Sequence, residues 1–165
     1  MFSIDIGALE PGVHALAFEP DVEAVDLGPE TFADVKVDAR LDVAERRILV
    51  SLEVRATATL ECDRTLRMFD KDIGGTYHLL FAPPEFLVQD DDAYDEVREL
   101  DPADTEIDVT EVVRDTILLA VPVRTVAPGA EDEEIPTEFG APADEDEIDP
   151  RWAALKELKP GAKQD

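Results

Sequence analysis

The stretch that decides the fold runs from residue 35 to residue 61 and reads VKVDARLDVAERRILVSLEVRATATLE. Apolar and polar side chains alternate in it with a period of two, over residues 35–43 and again over residues 48–61. Because successive side chains of a β-strand point to opposite faces, this alternation predicts two strands that each bury one face. The polar segment 44–47 between them predicts a turn. We therefore expect a long antiparallel hairpin with one face on the core and one face in water.

Shorter patterned segments lie on both sides of the hairpin. Residues 13–18 and 73–82 are mainly apolar and predict two further strands. The pair Gly74-Gly75 predicts a bulge or a bend in the second of these strands. Residues 85–104 are rich in acidic side chains, so we expect an exposed loop there.

One main helix is predicted in the second half of the chain. Asp108, with Glu111 three residues later, has the sequence of a capping box, and apolar residues then recur at helical spacing until Pro122 ends the pattern. Residues 127–149 combine many acids with prolines, which predicts a flexible linker. Residues 150–160 carry helix start and stop signals but few apolar side chains, so this short helix needs a surface on the domain or on a partner.

Together these patterns predict an α+β fold. We expect a twisted antiparallel sheet, open or partly closed into a barrel, that is covered by one main helix, with a short C-terminal helix in addition. The predicted domain spans residues 1–126 and is followed by the linker 127–149 and the helix 150–160.

The composition is strongly acidic. The chain of 165 residues holds 41 Asp and Glu against 15 Lys and Arg, a formal net charge of −26. Disorder would explain this charge, but the long apolar patterns argue against disorder. A basic partner is a second explanation, and adaptation of a whole proteome to a salt-rich cytoplasm (halophilic adaptation) is a third. The third is favoured, because Arg outnumbers Lys and the acids are spread over most segments.

Several classes of protein are excluded or disfavoured by the residue types. No apolar run approaches the ~20 residues of a membrane span, and the N-terminus lacks the pattern of a secretory signal, so we expect a cytoplasmic protein with no membrane contact. The single cysteine, Cys62, excludes a disulfide framework and a multi-thiolate zinc site. His14 and His78 lie in different predicted strands, and no phosphate-binding glycine loop is present. We therefore expect no enzyme, no cofactor and no metal site.

Arginine is the informative residue type in such an acidic chain. Residues 36–82 contain eight acids and eight bases, so this segment is neutral. Guanidinium groups are frequent phosphate ligands, because their donors form a rigid fork. Five arginines lie in or beside the predicted hairpin: Arg46, Arg47, Arg55, Arg64 and Arg67. Alternatively, Arg46 and Arg47 only solvate a turn, and Arg55 pairs with neighbouring glutamates.

Residues 60–66, LECDRTL, resemble the Leu-x-Cys-x-Arg-Cys-Leu element of the YceD family, the large ribosomal RNA accumulation proteins. The stretch 107–109, which leads into a helix that ends at residues 119–122, and the closing stretch 149–158 are similar to further elements of that family, in the same order. Thr65 stands where the family has a second cysteine, and the cysteine cluster that often follows the proline in that family is absent.

The resemblance implies a non-enzymatic factor in the processing or accumulation of large-subunit ribosomal RNA. Such a factor would bind precursor RNA or an early ribosomal particle. On this interpretation the candidate RNA contacts are Arg46, Arg47, Arg64, Arg67 and Arg151. An alternative from another class is an acidic protein-binding module, in which residues 83–150 shield a basic ribosomal protein. The oligomeric state stays open.

Overall fold

The structure is a computed structural model that describes residues 1–83, 94–101 and 103–133. These residues belong to one compact unit, Met1–Glu133. Of the described residues, 49% lie in strands and 12% are helical. The predicted helix 150–160 and most of the predicted linker lie outside the described residues, so the domain boundaries stay predictions.

The described residues form seven strands, one 3-10 helix and one α-helix. In chain order these are β1 (Ser3–Asp5), β2 (Gly12–Phe18), the 3-10 helix (Val22–Val25), β3 (Phe32–Ala44), β4 (Arg47–Glu61), β5 (Met68–Ala82), β6 (Glu96–Glu99), β7 (Glu106–Asp108) and α1 (Thr110–Ala120).

The strands form two sheets. The larger sheet has the order β2-β3-β4-β5-β6, and its neighbours are antiparallel except for β5 and β6, which are parallel. The smaller sheet pairs β1 with β7. In the described part of the chain β2 and β6 are the edges of the larger sheet, so this sheet is open rather than closed into a barrel.

The predicted hairpin is confirmed. β3 and β4 pair in antiparallel register, for example from Val37 opposite Val54 to Ala44 opposite Arg47. The side chains predicted to point inward are buried along most of both strands. They are Val35, Val37, Ala39 and Leu41 of β3, and Ile48, Val50, Leu52, Val54, Ala56, Ala58 and Leu60 of β4. Because a fully buried Val or Leu contributes roughly 1.5–3 kcal/mol, these two strands supply much of the core.

The predicted fold class is wrong. The described residues are mostly strand, the larger sheet is mixed because β6 runs parallel to β5, and a second small sheet is present. The helix α1 has 11 residues and packs mainly on β4 and β5, so it covers only part of one face. Strands β6 and β7 have four and three residues, too few to show an alternation in the sequence. For this reason the segment 85–104, predicted as a loop, contains an undetected strand.

The glycine pair of β5 has a different role from the predicted one. β4 and β5 pair without a register shift, so Gly74 and Gly75 form no bulge. Instead, Gly74 allows the backbone of β4 to come close to β5, and Gly75 allows the helix α1 to do so. A Cβ atom on Gly74 would lie 2.4 Å from the carbonyl oxygen of Val54, and one on Gly75 would lie 3.0 Å from Cγ2 of Thr116 in α1. These glycines therefore let β4 and α1 pack tightly against β5.

The helix α1 lies where the sequence predicts it, but its N-terminus differs from a capping box. The residue before the helix is Val109, which offers no capping side chain, and Asp108 is the last residue of β7. Oδ1 of Asp108 accepts hydrogen bonds from Oγ1 and N of Thr110, at 2.6 and 2.9 Å. The bond from the Thr110 hydroxyl is the main reason why the pKa of Asp108 is lowered. The helix ends at Ala120, just before Pro122.

We expect Gly74→Ala to destabilise the protein by roughly 1–3 kcal/mol, the usual cost of overpacking. Alanine normally suits a strand interior better than glycine, but the added methyl group would force the carbonyl of Val54 out of its position. Thr76→Ala, on the same face of β5, is the matched control and should cost less. Denaturant unfolding of the three proteins measures this, and equal midpoints for Gly74→Ala and the wild type would contradict the close approach.

Candidate nucleic-acid interface

The structure divides the candidate RNA contacts into two groups at opposite ends of β4. Arg46 and Arg47 lie at the turn between β3 and β4, whereas Arg64 and Arg67 lie in the turn between β4 and β5. A strand rises about 3.3 Å per residue, so the 15 residues of β4 put roughly 45 Å of strand between the groups. Arg151 lies outside the described residues. The four described arginines therefore do not form one continuous surface.

Arg64 and Arg67 hold a segment that follows α1. Nη2 of Arg64 donates a hydrogen bond of 2.9 Å to the backbone oxygen of Glu133, and the guanidinium of Arg67 forms an ion pair with the carboxylate of the same residue. Nε of Arg64 is buried and has no hydrogen-bond partner among the described residues. These contacts stabilise the position of Glu133 and occupy donors that RNA binding would need.

The LECDRTL turn is packed from within by Cys62. The Cys62 side chain is fully buried and forms a small apolar cluster with Ala127 and Ala130. Beside this cluster, the backbone N–H of Asp63 donates to the carbonyl oxygen of Thr125, and the backbone N–H of Thr125 donates to Oδ2 of Asp63. Both hydrogen bonds are 2.7 Å long. The turn therefore fastens residues 125–130 to the end of β4, and the inward register predicted for Cys62 is what the structure has.

The environment of Cys62 lowers its pKa. The backbone N–H of Ala127 donates to Sγ at 3.3 Å, and this bond is the largest cause of a pKa lowered from 9.0 to about 7. The hydroxyl of Thr65 contributes a further hydrogen bond in the same direction, while burial raises the pKa. The thiolate is thus stabilised by its hydrogen-bond donors, although the side chain is enclosed.

Arg55, in the middle of β4, is engaged within the sheet. Its guanidinium forms ion pairs with Glu53 and with Asp38, the latter at 3.4 Å. This agrees with the structural alternative, in which Arg55 pairs with acidic neighbours. Sequence reasoning missed Arg40, which lies on the same outer face of the sheet and has no acidic partner within 4 Å among the described residues. The available signal was its outward position in the neutral segment.

The described residues offer few other chemical sites. In residues 1–83, 94–101 and 103–133 no group of three His, Cys, Asp or Glu side chains is arranged to hold a metal ion. The described helices are also too short or too polar for any of them to cross a bilayer.

Comparison with known proteins gives one match. The family model described as "Large ribosomal RNA subunit accumulation protein YceD" matches residues 50–159. No curated protein and no solved structure matches. The matched region includes most of β4, all of β5, β6, β7 and α1, and the turn that holds Cys62.

We expect the stability of the wild type, relative to Cys62→Ala, to increase as the pH rises from about 7 to 9. In this range the folded thiol, with a pKa of about 7, has lost its proton, whereas the unfolded thiol, near 9.0, still binds one. Stability rises with pH wherever the unfolded state binds more protons. Urea unfolding of both proteins across this range measures the difference. Parallel stability curves would show that the thiol titrates alike in both states.

Proposed function

Because the chain belongs to the YceD family of large ribosomal RNA subunit accumulation proteins, we propose that it is a ribosome biogenesis factor that binds precursor RNA of the large subunit or an early particle containing it. The observation that carries this proposal is the family match over residues 50–159, about two thirds of the chain. We propose further that the protein acts in the cytoplasm as a binding factor rather than as an enzyme.

The distribution of charge supports local rather than long-range attraction to RNA. With a net charge of −26 the whole chain should be repelled by RNA at low ionic strength. At 1 M salt the screening length falls to ~3 Å, so that only contacts at the interface count. The neutral segment 36–82, which forms most of the larger sheet, is then the part of the chain best suited to approach a phosphate backbone.

Among the predicted contacts, Arg46 and Arg47 are the best placed. They are consecutive and exposed at the tip of a hairpin built from strands of 13 and 15 residues. Glu45, Glu99, Asp101 and Asp104 line the same pocket as the two arginines, so a groove or a loop of folded RNA would meet these acids beside the guanidinium groups. Arg64 and Arg67 lie at the other end of β4, where both contact Glu133.

We expect the double variant Arg46→Gln/Arg47→Gln to bind a large-subunit ribosomal RNA transcript roughly tenfold more weakly, about 1.4 kcal/mol. Loss of two guanidinium groups removes phosphate contacts at the hairpin tip. The matched control is Arg114→Gln/Arg124→Gln, which changes the net charge equally at sites away from the tip. Filter binding of the purified proteins, with a small-subunit transcript as competitor, measures the affinities.

Filter binding of RNA, together with capture of a purified basic ribosomal protein, separates the RNA-binding proposal from the protein-binding alternative. If the wild type fails to bind the RNA but captures a purified basic ribosomal protein in the presence of nuclease, the RNA proposal is overturned in favour of a shielding module. If both double variants lose affinity equally, net charge rather than the hairpin tip governs binding.

A further inference from the structure

The outer face of the larger sheet carries a groove that no described element covers. The helix α1 packs on the opposite, inner face, where its buried side chains join the core of β3, β4 and β5. On the outer face a groove of about 410 Å³ crosses β2, β3, β4 and β5. Small side chains such as Ala15 and Ala17 line it, so a ligand can approach the backbone of the sheet closely.

One row of side chains crosses this groove from strand to strand. The pairing registers place Ala15 opposite Arg40, Arg40 opposite Ser51, and Ser51 opposite His78. Directly opposed residues of antiparallel strands have Cβ atoms about 4.5–5.5 Å apart. A guanidinium, a hydroxyl and an imidazole are therefore neighbours, and all three residues line the groove.

His78 is held in place from the side of β6 by Asp95. Nδ1 of His78 lies 3.4 Å from Oδ2 of Asp95, and the same oxygen accepts a 2.8 Å hydrogen bond from the backbone N–H of His78. The backbone N–H of Asp95 in turn donates to the carbonyl of His78 at 2.8 Å. These bonds fix the backbone of His78 against Asp95, and Asp95 lies beside Nδ1 of the ring.

The two acids that line the groove share one cationic partner. Asp38 and Glu53 occupy the next row along the sheet, and both form ion pairs with Arg55. Arg40 has no acidic partner within 4 Å among the described residues, and its cross-strand neighbours, Ala15 and Ser51, are uncharged. In a chain with 41 acids, Arg40 is thus a guanidinium without an ion pair among the described residues.

We propose that the row formed by Arg40, Ser51 and His78 binds a phosphate group of an RNA backbone. This inference rests on the proposed function and adds a contact surface on the outer face of the sheet to the hairpin tip proposed above. A guanidinium fork matches two phosphate oxygens, and a serine hydroxyl donates to a third. The described lining of the groove includes no Phe, Tyr or Trp side chain, and we therefore assign the contact to the phosphate backbone rather than to the bases.

The test compares Arg40→Gln with Arg114→Gln, two variants with the same change in net charge. The probe is an oligouridylate of roughly 20 nucleotides, and affinity is measured over a series of salt concentrations. We expect Arg40→Gln to weaken binding several-fold and to reduce the slope of log K against log salt by about 0.7, the value for one phosphate contact on a single strand. Arg114→Gln, on α1, should leave affinity and slope as in the wild type.

Two further measurements keep the outcomes distinct. Ser51→Ala should weaken binding with an unchanged slope, because it removes a neutral donor, and thermal unfolding checks that each variant is folded. If the wild type binds neither oligouridylate nor the large-subunit transcript, the proposed function fails together with this site. If the wild type binds and Arg40→Gln equals Arg114→Gln, only this site is overturned. Inorganic phosphate is added as a competitor of the bound oligouridylate. If it competes as well as unlabelled oligouridylate at the same phosphate concentration, the site is overturned in favour of a small-anion site.

Discussion

The central strand β4 is the constraint on which the rest of the structure depends. It is paired with β3 on one side and with β5 on the other along nearly its whole length, and its inward side chains are buried throughout. A slip of one residue would turn all of these side chains to water. The registers of β3 and β5 are therefore fixed by burial, and so is every cross-strand row on the outer face, including the row of Arg40, Ser51 and His78.

The sequence was sufficient for those elements that repeat a pattern many times. The hairpin and α1 were predictable because seven inward residues in β4, or three turns of helix, each give the same signal. Strands β6 and β7 were not, since strands of three or four residues are held by pairing rather than by their own pattern. Gly74 was misinterpreted because a glycine in a strand indicates either a bulge or a close approach, and only the position of the Val54 carbonyl decides between them.

The sequence predicted the residue type of the candidate site, arginine, but not which guanidinium donors other residues of the protein already occupy. How many donors an arginine can offer a ligand depends on its protein partners, which often come from distant parts of the chain. Glu133, which occupies both Arg64 and Arg67, lies more than 60 residues from either of them, and no local pattern connects them. Arg40 gave no motif at all. Its availability follows from the registers of β2 and β4, which place an alanine and a serine beside it where an acid would have closed the site.

The LECDRTL turn is joined to the segment after α1 by several contacts around Cys62. Thr65 donates a hydrogen bond to the Cys62 thiol. Ala127 and Ala130 pack on the same sulfur, and Glu133 receives both arginines of the turn. Hydrogen bonds, apolar contact and one ion pair thus join the segment after α1 to the end of β4.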